Sequence, residues 1–432
     1  MRTWQSRAAA VLTIGALALG VTGCGKKNSD SATGEKARES LVYRSTWGEA
    51  EPQAKIFKAA LDDFAARTGA KVEVTFVGRK GGESMPTEMA AGRGPDLFDA
   101  ATDNLATWQA QNLLTPLDDV LAAQVPGEGK TVADVLPAAV KTASSTDKGL
   151  GLVPHTIIST AVWFDAARHP ELASAPPKTW EEFIAYLDKA KKAGRVPIGQ
   201  DGTVNFYNVY WFYSALVRAN GAGSLKALSA DPAAWDRPEV LEAARKVAQL
   251  AKGGYFQKDF MATKFPAAQD AWAAGEYDLN LNGTWLASET KPKLGSGAKV
   301  ASFQLPVGGK DSVEVGTLGW GVNAKGKNKE TAKKFLAFFL QSKYVSQIAT
   351  AADNIPSRAD VPAPAHLAGV QKDVASATAT HRTYDEAAAD KSWWNDVFLP
   401  LHDQLISGKI DAAAFVAQGK KKAADHIASR KS

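Results

Sequence analysis

The chain has 432 residues, 45% apolar and 22% charged, an ordinary globular mix that excludes wholesale disorder, collagen-like repeats and a multi-span membrane protein. At the usual ~100–200 residues per domain, that length calls for two or three packed units. The formal net charge is +5, and its 51 basic side chains fall to 49 against 46 acidic ones once Arg2 and Arg7 are set aside. No basic stripe of the kind nucleic acid demands is present, so no nucleic-acid partner is expected, and Lys420, Lys421 and Lys422 read as a solvated helix face.

The first elements are a basic start (Arg2, Arg7) and an apolar run from Ala8 to Val21. That run is shorter than the roughly 20 residues a spanning helix needs, and it fits a secretory signal over residues 1–23. The single cysteine, Cys24, permits neither an intramolecular disulfide nor a Cys-based metal cluster. The ending Val21, Thr22, Gly23, Cys24 resembles a bacterial lipobox, which implies cleavage before Cys24 and lipid on it. The ordinary alternative is a plain signal peptide. Residues 24–40 are polar and aperiodic, a flexible tether with a reach of roughly 20–25 Å.

Next, Leu41 to Trp47 reads as a strand. Ile56, Phe57, Ala60, Leu61 and Phe64 recur at helical spacing until Gly69, and Val72, Val74 and Phe76 alternate in a second strand. This is a βαβ opening and predicts a parallel sheet flanked by helices. Thr179 with Glu182 predicts a helix start, Trp180, Phe183, Ile184 and Leu187 its buried face, and Gly194 its end. Ala332, Phe335, Leu336, Phe339 and Leu340 make another amphipathic helix, and Asp411 to Ile427 a last one.

Several segments in this order resemble the bacterial extracellular solute-binding proteins of family 1, the sugar-binding partners of ABC importers. They are Phe64 and Arg67 to Phe76; Ala90 to Asp96; Leu113 to Asp118; Pro176 to Glu182 with Gly194 and Pro197; Gly275 with Asn282 to Trp285; Lys327 to Leu336; and Asn354 to Arg358. The resemblance implies a two-lobed α/β fold of the periplasmic-binding-protein type (type II), with discontinuous lobes, a hinge and a central cleft. Lobe one is expected at 41–153 plus about 299–341, and lobe two at about 154–298 plus 342–432. It also implies a sugar ligand, permease subunits of an ABC importer as partners, and no chemistry. An extracytoplasmic monomer held to the membrane through Cys24, without cofactor or metal, is expected.

A pyranose offers an apolar face and a rim of hydroxyls, so its site needs aromatic plates and hydrogen-bonding side chains. Family spacing puts Trp285 at a stacking position after Asn282 and Gly283, Asp103 at a polar contact, and Trp320 where the chain returns to the cleft. Core packing for the two tryptophans and a helix N-cap for Asp103 stay open. His155 faces the hinge in the family pattern or is a satisfied core histidine. Tyr207 and Trp211 stand four apart and would share a helix face as a cleft wall. One of Trp393 and Trp394, best Trp394, is a further stacking candidate. Trp47 ends the first strand of a parallel sheet, the edge where α/β proteins bind ligands. Trp180 and Trp272 read as core.

Among rival functions, a glycoside hydrolase would pair Asp99 with Asp103, but no other catalytic motif supports it. Gly129, Lys130 and Thr131 only mimic a phosphate loop, because Gln124 stands where its first glycine belongs. A binder of a peptide or polyamine is the other alternative.

Overall fold

A computed structural model describes residues 39–430. The expected signal peptide, Cys24 and nearly all of the tether lie outside the described residues. Ten strands build two sheets: β1 (Ser40–Ser45), β2 (Lys71–Phe76), β3 (Leu97–Ala101), β4 (Val153–Ile158), β5 (Thr160–Asp165), β6 (Val196–Ile198), β7 (Tyr277–Gly283), β8 (Val300–Phe303), β9 (Gly316–Val322) and β10 (Ile355–Pro356). The first sheet runs β10-β4-β9-β3-β1-β2 and the second β6-β7-β5-β8. β1 pairs in parallel with both β2 and β3, whereas β9 runs antiparallel between β3 and β4.

The opening βαβ unit forms for the reasons its sequence gives. Pro52 fits the first helical turn, Ile56, Phe57, Ala60, Leu61 and Phe64 bury one face of helix Pro52–Thr68, and Gly69 closes it at φ 73°. That face packs on Tyr43, Trp320, Phe335 and Phe339 in the core of the first sheet. In the helix Trp180–Lys192, the Thr179 hydroxyl accepts from the Glu182 N–H at 3.2 Å. The Glu182 carboxylate accepts from Lys178 instead of closing the box on Thr179. Phe183 and Leu187 enter a second core with Trp211, Phe212, Trp235, Phe398 and Phe415.

Three boundaries fall elsewhere than the sequence suggests. All of β4 belongs to the first sheet, so the chain first crosses between sheets at Ser159. β8, expected in lobe one, pairs with β5 in the second sheet, and the return to the first begins only at β9. Helix Ser342–Thr350, expected in lobe two, packs Tyr344 on Phe339 of the first core, and β10 joins β4. The apolar periodicity that marks these segments is the same for either sheet, so it carries no information about which one they join. The third crossing occupies the stretch after β10, and a short parallel ladder of Val313–Glu314 with Thr380–His381 ties the second crossing to it. No helix among the described residues is long and apolar enough to cross a membrane.

Candidate functional site

The C-terminal ends of β1, β2 and β3 and the start of helix Thr102–Ala110 frame a cavity of about 740 Å³. Thr46, Trp47, Arg79, Glu83, Met85, Asn104, Trp108 and His155 line it, and Lys391 faces them from the segment that precedes Trp393 and Trp394. Ligands settle at this edge of a parallel sheet because the loops there diverge and leave backbone and side chains free to converge on them. Trp47 is partly buried, with the Arg79 guanidinium 4.1 Å over its ring. Trp108, partly buried, leans on Phe98 with ring centroids 5.6 Å apart.

Asp99 lies in the same wall but is fully engaged. It accepts from the Tyr43 hydroxyl at 2.6 Å, from the Ser45 hydroxyl and Thr46 N–H at 2.7 Å, and from the Thr46 hydroxyl at 3.2 Å. Those donors fix the backbone that presents Trp47. They also leave no free oxygen for the acid–base role a glycosidase pair demands.

Asp103 stands at an exposed position on the first turn of helix Thr102–Ala110 and makes no capping bond, so the N-cap alternative is not realised. It lines a small cavity with Thr383 and Tyr384 of the opposite wall, and burial there pushes its carboxyl up to about 6. That wall contains three consecutive left-handed residues, Tyr384 (φ 49°), Asp385 (φ 51°) and Glu386 (φ 60°). Such residues cost roughly 1–2 kcal/mol each and persist only where something holds them. Here the Asp385 carboxylate accepts the backbone N–H groups of Gly223 at 2.6 Å, Leu225 at 2.8 Å and Lys226 at 3.2 Å. The turn stacks Tyr384 on Tyr210 at 5.3 Å and sets it 5.1 Å from Trp394.

The row of rings continues from Tyr210 to Tyr207 at 5.9 Å, and from Tyr207 to Phe206 at 4.7 Å and Phe265 at 6.3 Å. Burial pushes the Tyr207 hydroxyl up to about 12. Trp285 is partly buried, its ring lying so close over Gly283 that a Cβ there would come within 2.2 Å. Phe206 and Phe265 are 43% and 47% exposed. The sequence-predicted residues thus gather in two groups: Trp47 at the cavity, and Trp285 along the aromatic row beside Tyr207 and Trp394, which are themselves buried, with Asp103 at the junction of the two walls.

Four candidates take structural roles instead. Trp320 is fully buried, ringed by Phe57, Phe335 and Phe339, and its indole N–H donates to the Tyr43 hydroxyl at 3.1 Å. It belongs to a central strand covered by helices, so no ligand reaches it. Trp211 is fully buried against Phe183 and Phe256, with its N–H on Gln200 at 3.0 Å, so it faces the core and forms no cleft wall with Tyr207. Asn282 spends its side-chain oxygen on the Gly283 N–H at 2.8 Å. His155 packs on Phe57 and Trp320 at the cavity floor, and burial pushes its imidazole down to about 3, keeping it neutral. Its Nδ1 meets the Thr156 hydroxyl at 2.9 Å, while its Nε2 has no partner among the described residues. Trp180 and Trp272 are buried, as expected. Sequence reasoning passed over Asn104 and Trp108, although their i, i+4 spacing beside Asp103 was visible, and it passed over Arg79, Lys391, Tyr384, Phe206 and Phe265.

Two sheets joined by three crossings, with an aromatic and hydrogen-bonding cleft between the walls they carry, define a two-lobed solute receptor of the periplasmic-binding-protein type. The chain belongs to the bacterial extracellular solute-binding protein family, whose profile matches residues 48–345. It is 26% identical over 347 residues to a probable sugar-binding periplasmic protein of Rhizobium meliloti, covering 77% of this chain and 79% of that one. It is 24% identical over 320 residues to the diacetylchitobiose binding protein NgcE of Streptomyces coelicolor, covering 70% and 66%. Among solved structures it superposes on the bacterial solute receptor AcbH, described as preferring β-D-galactopyranose, with a TM-score of 0.76 at 19% identity over 91% of this chain and 98% of that one.

Proposed function

We propose that the cleft captures a sugar or short oligosaccharide outside the cytoplasm and delivers it to the permease subunits of an ABC importer. The observation that carries this reading is the pairing of incompletely buried rings, Trp47, Trp108, Trp285, Phe206 and Phe265, with Asn104, Glu83, Asp103, Arg79 and Lys391. Rings accept the CH face of a pyranose and the polar groups its hydroxyls. Similarity to a sugar-binding and a diacetylchitobiose-binding protein supports the same ligand class. A polyamine would want several free carboxylates, whereas Asp99 is saturated and two cations face the cavity. The lobes close about the three crossings, the protein works as a monomer, and lipid on Cys24 keeps it at the membrane after removal of residues 1–23.

A thermal-shift screen tests the ligand class, since a ligand that binds only the folded state raises its melting temperature, by ~2.7 kcal/mol of stabilisation at a hundredfold excess over Kd. D-galactose, maltose and N,N′-diacetylchitobiose are the probes, with spermidine and a tripeptide as comparators. At least one saccharide should shift Tm. A response to spermidine or the peptide alone overturns the reading.

A further inference from the structure

The charged groups that line the cavity of about 740 Å³ differ in what holds them. The Arg79 guanidinium donates to the Thr46 carbonyl at 2.6 Å and to both oxygens of Glu51 at 3.2 Å, and Glu51 matches its charge. Asp99 is saturated by its four donors. Glu83 and Lys391 remain. Both are exposed, and neither side chain has a hydrogen bond or an ion pair among the described residues.

Their tips are free but their backbones are seated. The Glu83 N–H donates to the Lys80 carbonyl at 3.2 Å, and the Met85 N–H to the Gly82 carbonyl at 3.1 Å. Met85 is buried beside Phe98 and Leu105. A Cβ on Gly82 would lie 2.5 Å from Thr46 Cγ2, so this turn rests against the strand end that carries Trp47. Next to Lys391, the Asp390 carboxylate accepts from the Ser392 hydroxyl at 3.1 Å, from the Trp393 N–H at 3.2 Å and from the Arg430 guanidinium at 2.6 Å. Trp393 is buried in the second core. Lys391 is thus presented by the second lobe to a cavity whose other lining residues belong to the first.

Closing the cleft on a ligand takes water from both tips. Stripping water from a carboxylate or an ammonium is costly unless an opposite charge meets it. One acid on the first lobe and one base on the second meet that requirement for each other. An ammonium has three donors and a carboxylate two acceptor oxygens, so the pair still reaches ligand hydroxyls. A uronate would take Lys391 and leave Glu83 beside a second carboxylate. An amino sugar would take Glu83 and leave Lys391 beside a second ammonium.

We infer that Glu83 and Lys391 pair across the cleft when the lobes close, and that this makes them specificity-determining residues, admitting uncharged saccharides and rejecting acidic and amino ones. The inference rests on the saccharide reading above and narrows its substrate class.

The test is calorimetry on the full chain. D-galactose, maltose and N,N′-diacetylchitobiose are the uncharged probes, D-galacturonate and chitobiose the charged ones, at about pH 6 so that the chitobiose amines are protonated. The parent should bind an uncharged saccharide at least about tenfold more tightly than either charged one. Glu83→Gln and Lys391→Gln should each weaken that uncharged ligand about tenfold or more, because each leaves one charge alone in the closed cleft. The exchange of Glu83→Lys with Lys391→Glu should recover most of the affinity, whereas either half of it alone should bind worse than the Gln variants. Ligand-free melting temperatures of the Gln variants should match the parent's, and a fall in either would show a packing role and overturn the inference. A parent that binds a charged probe as tightly, single variants with parental affinity, or an exchange that recovers nothing also overturns it, with the saccharide reading intact. If the parent binds none of the five probes, that reading fails and this inference with it.

Discussion

Replacing Trp320 with alanine distinguishes a packing role from a binding role more sharply than any other single change. The side chain is fully buried, its ring lies within 5 Å of those of Phe57, His155 and Phe339, and its N–H satisfies the Tyr43 oxygen. Truncation of a buried aromatic to alanine costs about 3–5 kcal/mol, from lost transfer energy and from the cavity left behind. Helices Pro52–Thr68 and Lys329–Phe339 are both anchored on the surrounding sheet, which restricts collapse into that cavity and favours the upper half of the range. Trp320→Phe retains an aromatic ring and removes the indole donor, a loss of about 1 kcal/mol. Urea unfolding without ligand is the assay. The midpoint should fall by on the order of 1 M for alanine and by a fraction of that for phenylalanine. An alanine variant with an unchanged midpoint and a lost saccharide response would refute the burial argument and return Trp320 to the binding surface.

Trp285→Ala should weaken saccharide binding by roughly 30-fold, corresponding to about 2 kcal/mol for a stacking plate, with little change in the ligand-free melting temperature; calorimetry with whichever saccharide responds in the screen checks this. The pH dependence of stability follows from two carboxyls whose folded values lie above their ordinary ones, Glu314 at about 7 against 4.5 and Asp103 at about 6 against 3.8. The folded state therefore holds extra protons between roughly pH 4 and 7. Their contribution is fully present below the ordinary carboxyl values and is lost as pH rises through the folded ones. Urea midpoints should show that fall, and Glu314→Gln should flatten part of it, since burial also holds Asp99, Asp373 and Asp385 above their ordinary values. Cys24→Ala should release the protein from the membrane fraction, and retention there would count against lipid attachment.

The opening βαβ unit was legible because each signal has one local cause. Apolar residues at helical spacing need a sheet to lie on, and Gly69 supplies the left-handed residue that ends the helix. Trp320 was misread because its place on the chain returning towards the cleft does not say which face of the strand it takes. Glycines flank it on both sides. Here they admit neighbours: a Cβ on Gly319 would sit 2.3 Å from the Val153 carbonyl oxygen, and one on Gly321 would sit 2.9 Å from the Phe98 ring. The turn at Tyr384 had no signature at all. Aspartate tolerates the left-handed region, but tyrosine and glutamate do so rarely, and the bonds that hold them come from Gly223 to Lys226, far away in sequence. The burial of Glu314 likewise had no signature, because the three hydroxyls that receive it belong to three separate parts of the chain.

The place of β9 between β3 and β4 governs the order in which the molecule can be made. β4 ends at Ile158 and β9 begins at Gly316, so the second sheet, with its helices, has nearly all been synthesised before the centre of the first exists. Closure over so long an intervening loop is slow. Until Val322 is available, β3 and β4 each present an unpaired edge, the surface through which unfinished sheets find one another. A nascent or truncated chain that stops short of that residue therefore holds one three-stranded half-sheet, β3-β1-β2, and a β4 with no partner in its sheet, and it should accumulate as aggregate even though most of its sequence is already present.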